Sequence, residues 1–194
     1  MTRLDPGRVL AVVATREEAA HLPDGVPLIV TGMGKTLAAV ATAHALLQRP
    51  GQVDLVVNLG TAGALKAGLS GVHRPRTVIN HDLTAEAVRA LGHDPHDRLA
   101  LDHGDDTVLA TGDQFVSDPA RRDQLARRAD IVDMEGYAVA WAARASGVPV
   151  LMLKHVSDAA DESAFDWPSV VDASARVLAA ELVRVLDGDG PAPR

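Results

Sequence analysis

The chain predicts an α/β fold with a mostly parallel sheet, and three observations carry that reading. Short β-branched apolar runs alternate with alanine-rich segments of helical period. The runs are apolar at consecutive positions, as in strands covered on both faces. Acidic or polar residues follow several runs at once, at the strand ends where open α/β sheets hold their ligands. With 194 residues, no internal repeat and no interdomain linker, the chain reads as one domain over 1–187 with a short tail at 188–194.

Each element has its own signal. Val9 to Ala14 is a buried strand. Thr15 then stands as an N-cap with Glu18 three residues on, the spacing of a capping box. Pro23 to Gly25 is a turn and Pro27 to Val30 a strand. Thr31 to Thr36 is a glycine-containing bend before an alanine-rich helix, Leu37 to Leu47. Val53 to Asn58 is a strand ending in Leu59 to Gly63, where two glycines allow close backbone approach and Thr61 offers a hydroxyl, the alternative being a plain turn. Thr77–Ile79 and Thr107–Ala110 are strands ending in Asn80-His81-Asp82 and Thr111-Gly112-Asp113-Gln114-Phe115. Asp118 to Arg128 is a polar helix. Ile131-Val132 ends a strand, and Tyr137 to Ala145 is a helix stopped by Gly147 and Pro149. Val150 to Leu153 is a buried strand. In the last helix, Pro168 to Leu186, the stripe Val171, Ala175, Leu178, Leu182 and Val185 keeps helical spacing.

Composition removes several classes of function. A net charge of −7 leaves no basic excess for nucleic acid or an anionic membrane. The absence of cysteine excludes disulfides, thiolate zinc sites and a cysteine nucleophile. The N-terminal apolar run of about six residues is too short for a signal sequence. No stretch of about 18 apolar residues occurs, so a cytoplasmic protein is expected. Aromatics are 3% of the chain, so the core rests on Ala, Val and Leu and each aromatic is worth a question.

The motifs are individually weak. GMGKT at 32–36 lacks the spacing of a P-loop, and Leu37 stands where a dinucleotide fingerprint needs its third glycine. The bend can still turn bare backbone N–H groups toward an anion or a sugar. Residues 92–106 hold three His and five Asp, but Pro95 and Gly104 make a solvated loop a better reading than a metal site. No GxSxG elbow is present. Glu135 and Asp158 both stand just past strands, although an acid at a helix start is ordinarily a cap.

Together the pieces carry more. VVNLGTAGAL (56–65), TGDQFVSD (111–118), VDMEGYAVAWAA (132–143) and VPVLMLKHVSDAADE (148–162), in that order, resemble the nucleoside phosphorylase and nucleosidase superfamily. The subgroup they resemble most is 5′-methylthioadenosine/S-adenosylhomocysteine nucleosidase. Ala14-Thr15-Arg16-Glu17-Glu18 looks like its Ala-Met-Glu-Glu-Glu, and Thr31-Gly32-Met33-Gly34-Lys35 like its Ser-Gly-Ile-Gly-Lys. The resemblance implies a single-domain three-layer αβα fold with a central mixed, mostly parallel sheet. It implies hydrolysis of the N-glycosidic bond of a purine nucleoside, a 5′-modified adenosine, to free base and sugar. It also implies a homodimer, a small-molecule nucleoside as partner, and no metal or organic cofactor.

Roles follow from the same resemblance. Asp158, beside Ser157, would protonate or hydrogen-bond N7 of the purine, and Glu18 would act on the attacking water. Glu135 and Met134 would hold the ribose. Phe115 would stack on the base, the Val116 backbone would meet its edge, and Thr61, Ala62 and Gly63 would line the sugar and water site. The chemistry is coherent, because a departing base needs an acid, the water an activator, and the oxocarbenium-like sugar a nearby carboxylate. Asp158 would need to hold a proton near neutral pH, which burial can arrange.

The chain departs from the pattern in places. Thr61 and Ala64 replace Ser and Gly, and Thr15-Arg16 replace Met-Glu. The chain is short after the first strand and between Thr84 and Thr107, segments that shape the 5′ pocket. Phosphorylases of the superfamily carry a phosphate-gripping Arg where Asn58 stands here, so its absence favours water, with Arg16 as another candidate cation. Three alternatives stay open: a phosphate-dependent phosphorylase, a futalosine-type hydrolase, and a non-catalytic nucleoside-binding protein.

Overall fold

The computed structural model describes residues 3–189. Strands β1 (Val9–Val13), β2 (Leu28–Val30) and β3 (Leu55–Ala64) are joined through helix α1 (Lys35–Leu47). Next come β4 (Val72–His73), β5 (Pro75–Asn80), α2 (Ala85–Ala90), β6 (Arg98–Ala100) and β7 (Asp105–Thr111). The chain then forms α3 (Pro119–Leu125), β8 (Ile131–Asp133), α4 (Gly136–Ala145), β9 (Val150–Asp158) and α5 (Trp167–Arg184). The sheet is mixed and mostly parallel: β1 with β2 and β3, β3 with β9, and β7 with β5 and β8 are parallel. The antiparallel pairs are β3 with β8, β4 with β9 and β5 with β6.

At the centre of the sheet both faces are covered, which explains why β1 is apolar throughout. On β1, Leu10 and Val12 pack toward α1 and α4, while Val9, Ala11 and Val13 pack toward α5. Full burial of each Val or Leu contributes about 1.5–3 kcal/mol. The stripe Val171, Ala175, Leu178 and Leu182 of α5, continued by Val185 just past its end, is buried along its length. This is the expected three-layer αβα architecture. No helix among the described residues is long and apolar enough to cross a membrane.

Several elements differ from the sequence expectations. Leu59 to Gly63 is no turn: β3 runs unbroken through Ala64, because β9 pairs with it over that whole length. Likewise β9 continues to Asp158, which is the last residue of a strand rather than a residue beyond one. Thr15 to Leu22 closes as turns and not as a helix, yet the capping-box bonds form: Glu18 N–H donates to Thr15 Oγ1 at 3.4 Å and Thr15 N–H to Glu18 Oε2 at 3.2 Å. The charged segment 92–106 contains β6, pinned to β5, with Asp97 paired to Arg89. Of the tail expected at 188–194, residues 188 and 189 belong to a wide helical turn, Val185–Asp189, and 190–194 lie outside the described residues.

Candidate active site

The ten residues singled out from the sequence line one cleft of about 270 Å³. Glu18 enters from the turn after β1, and Thr61, Ala62 and Gly63 from the last third of β3. Phe115 and Val116 come from the loop after β7, Met134 and Glu135 from between β8 and α4, and Ser157 and Asp158 from the end of β9. The bend of β3 makes this convergence. Gly63 pairs with Val132 on one edge and Asp158 on the other, across a register shift at Ala62/Gly63.

Glu18 is 4% exposed and held at both carboxylate oxygens. Its Oε2 accepts from the backbone N–H of Ala14 and Thr15, at 3.1 and 3.2 Å. Its Oε1 accepts from Thr61 N–H at 3.0 Å and Thr61 Oγ1 at 3.3 Å. Gly60 permits this approach, since a Cβ there would stand 3.0 Å from Glu18 Oε1 and 3.4 Å from Lys154 Nζ.

Lys154 is the buried cation beneath the cleft. Its Nζ meets Asp133 Oδ2 at 2.8 Å, with both side chains almost wholly buried. Asp133 also accepts from Thr111 Oγ1 at 2.6 Å and Gly136 N–H at 2.9 Å, so the pair is locked from several sides. Burial opposes the charge on Lys154, but Asp133 and then Glu135 outweigh it and hold the ammonium above the ordinary lysine value. A pair of this kind is costly to break rather than cheap to form: removing one partner costs about 3–5 kcal/mol.

Glu135 sits at the start of α4 without capping it. Its Oε1 accepts from Gly34 N–H at 2.7 Å, and Gly34 reaches it with φ 96°, a conformation that favours glycine. The anion facing the 32–36 bend is therefore this carboxylate, which brings β8 and α1 together. Burial, then Asp133, push the Glu135 pKa up to about 7, against the pull of Lys154 and the Gly34 N–H. Asp158 is half-buried, with Oδ2 accepting from Ser157 Oγ at 2.7 Å and Oδ1 from Ala160 N–H at 2.8 Å. Ala160 turns the chain sharply, with φ 49° in a residue that is not glycine, a local strain of the kind that gathers at functional sites.

The mouth is built differently. Met33, Phe115 and Phe165 line it and remain 54%, 50% and 67% exposed. The two phenyl rings lie 5.5 Å apart, tilted. The Phe115 loop is held at its root by Asp113, whose Oδ1 accepts from Lys35 N–H at 2.7 Å and whose N–H donates to Asp82 Oδ2 at 2.8 Å. Lys35 Nζ completes the tie through Asn80 and Asp82.

Lys154, Asp133, Met33, Phe165 and Trp167 were not singled out as site residues from the sequence. A charged residue directly after the apolar run Val150–Leu153, and the scarcity of aromatics, were the signals available for Lys154, Phe165 and Trp167. Arg16, the alternative phosphate cation, is exposed and does not line the cleft. No cluster of three or more metal-ligating side chains occurs among the described residues, and Asp97 of the 92–106 segment pairs with Arg89.

The chain is similar to known proteins. The chain is 34% identical over 109 residues to aminodeoxyfutalosine nucleosidase of Helicobacter pylori, covering 54% of this chain and 46% of that protein. It is 32% identical over 147 residues to 5′-methylthioadenosine/S-adenosylhomocysteine nucleosidase of Arabidopsis thaliana, covering 68% of this chain and 56% of that protein. The chain thus spans about half the length of the curated relatives it matches. Among solved structures, a futalosine hydrolase mutant of Helicobacter pylori superposes with TM-score 0.80 at 22% identity, over 92% of this chain and 98% of that one. Streptococcus pneumoniae MTA/SAH nucleosidase in complex with 8-aminoadenine gives 0.78 at 24%, over 93% and 99%. At these identities the likeness establishes the fold. The phosphorylase superfamily model matches residues 23–187, from the turn before β2 to just past α5, so that β1 and the Glu18 turn precede the match, and on this match the chain belongs to the phosphorylase superfamily.

Proposed function

We propose that the chain hydrolyses the N-glycosidic bond of a purine nucleoside, a 5′-modified adenosine, to free base and sugar. One observation carries the choice of water over phosphate. Glu18, Glu135 and Asp158 converge on a cleft that no Arg or Lys lines among the described residues. A phosphate dianion there would face carboxylates, and the one buried cation beneath, Lys154, is already taken by Asp133. In this reading Asp158 gives its proton to N7 as the glycosidic bond breaks, so the base leaves as a neutral species. Glu18 takes a proton from the attacking water. Glu135 accepts from the ribose hydroxyls, and that bond tightens as positive charge develops on the sugar. Phe115 stacks on the base and the Val116 backbone meets its edge, while Met134, Thr61, Ala62, Gly63 and Ser157 complete the walls.

The half-exposed apolar mouth favours a 5′ substituent that extends outward, and it suits a bulky group of the futalosine type as well as a methylthio group. We further propose a homodimer. Met33 at the mouth and Leu37, Val40 and Leu47 along α1 form an exposed apolar strip that a second copy would cover. Size-exclusion chromatography with light scattering tests this, and a monomer at micromolar concentration would refute it. The activity itself is tested by a chromatographic screen for released base. The panel is adenosine, methylthioadenosine, adenosylhomocysteine, 5′-deoxyadenosine, inosine and futalosine, with and without phosphate. Release independent of phosphate is expected. A strict phosphate requirement would make it a phosphorylase, and binding without release a nucleoside-binding protein.

A further inference from the structure

Trp167 is the first residue of α5, and its indole N–H donates to Thr61 Oγ1 at 2.8 Å. An indole N–H can only donate, and a hydroxyl has a single proton. Thr61 Oγ1 must therefore accept from Trp167 and give its own proton elsewhere. The acceptor in reach is Glu18 Oε1, at 3.3 Å. Glu18 then has four donors, three of them backbone N–H groups that cannot turn away. The fourth, the Thr61 hydroxyl, is the longest and can rotate. Without Trp167 that hydroxyl is free to turn its lone pairs toward Glu18 and the cleft, where it competes with the carboxylate for a water proton.

We propose that Trp167 is a positioning residue for Glu18. It acts through Thr61, fixing the hydroxyl as a donor so that Glu18 Oε1 remains the acceptor facing the water site. Trp167 also lies two residues after Phe165, so the segment that forms the aromatic wall sets the geometry of the base. The proposal rests on the nucleosidase reading for its kinetic consequence, but the hydrogen bond can be observed without turnover.

Two measurements test it. In the first, Trp167→Phe keeps the ring and removes the N–H. The expected result is a fall in kcat of about fivefold, the loss of one neutral hydrogen bond, with KM nearly unchanged. On a Thr61→Val background the same change should cost nothing further, because the link is already cut. An equal loss on both backgrounds, or a rise in KM with kcat intact, would show that Trp167 only packs the wall. In the second, the indole N–H resonance of Trp167 is followed by NMR in the otherwise native chain, with Trp141→Phe assigning it. Thr61→Val should move that resonance upfield and Thr61→Ser should leave it near its original position. An unmoved resonance in Thr61→Val overturns the proposal even if Trp167→Phe fails to fold. If the parent releases no base from any nucleoside, the nucleosidase reading fails, and the resonance still decides the link.

Discussion

The floor and the mouth of the cleft are built on opposite principles. On the floor, Glu18, Glu135, Asp133 and Lys154 are buried, and each is held by backbone N–H groups, a hydroxyl or an ion partner. At the mouth, Met33, Phe115 and Phe165 are half or more exposed; the two phenyl rings meet each other, and the Phe115 loop is held at its root by Asp113. Groups that must present one lone pair at one place need a fixed environment, because a misplacement of about 1 Å can cost 10²-fold in rate. Groups that only offer apolar area to a base or a substituent tolerate motion. The difference predicts that changes to the floor alter turnover, folding or the hold on the sugar, and that changes to the mouth alter affinity for the base and selectivity for the substituent.

The sharpest way to break the comparison is at the acids. Asp158→Asn can still donate to N7 but cannot pass a proton, and Glu18→Gln cannot accept one. Each should lower kcat by about 10²–10⁴-fold with nucleoside binding largely kept. Near-parental base release by either variant would remove that residue from the mechanism. Lys154→Met comes next and tests the foundation of the floor. It leaves Asp133 buried without its cation, and should cost about 3–5 kcal/mol, or about 6–20 °C in melting temperature. A thermal melt that moves by only a degree or two would mean the pair is dispensable.

Glu135 carries a pH signature. Its pKa rises from 4.5 to about 7 on folding, so between those values the folded chain binds more protons than the unfolded one. Its contribution to stability is therefore full below about pH 4.5, is lost as pH rises toward 7, and changes no further above that. Glu135→Gln should gain stability relative to the parent across that window, measured by denaturant unfolding at several pH values. Nucleoside affinity of the parent should strengthen as pH rises through about 7, when the carboxylate forms, while the Gln variant stays flat and weaker by about 1.5–3 kcal/mol. Adenine affinity should not respond in either protein. A parent whose nucleoside affinity ignores pH would contradict the ribose assignment.

Phe115→Ala is the mildest test and lies on the other side of the comparison. Stacking on a base is worth about 1–3 kcal/mol, so adenine and nucleoside affinity should fall while the melting temperature stays close to the parent, since the ring is half exposed. A large loss of stability with affinity preserved would make Phe115 a structural residue and erase the distinction between floor and mouth.

The sequence by itself determined the α/β class, the order of the main strands and helices, and the pieces that meet in the cleft. It could do so because strands buried on both faces must be apolar at every position and the covering helices must keep a stripe, as in β1 and α5. Glu135 and Asp158 were visible because each follows such a run at an element boundary, and Glu18 was reached only through the family resemblance. What only the tertiary structure decided concerns pairing between distant segments. Leu59 to Gly63 reads locally as a glycine turn, and it is strand because β9 lies beside it. Lys154 reads as the end of an apolar run, and it is a buried ammonium because Asp133, 21 positions earlier, meets it at 2.8 Å. Gly34 reads as a bend, and it is the donor to Glu135 across a separation of 101 residues. Periodicity reports which face of an element is buried; it does not report which partner waits there, and the chemistry of this cleft depends on those partners.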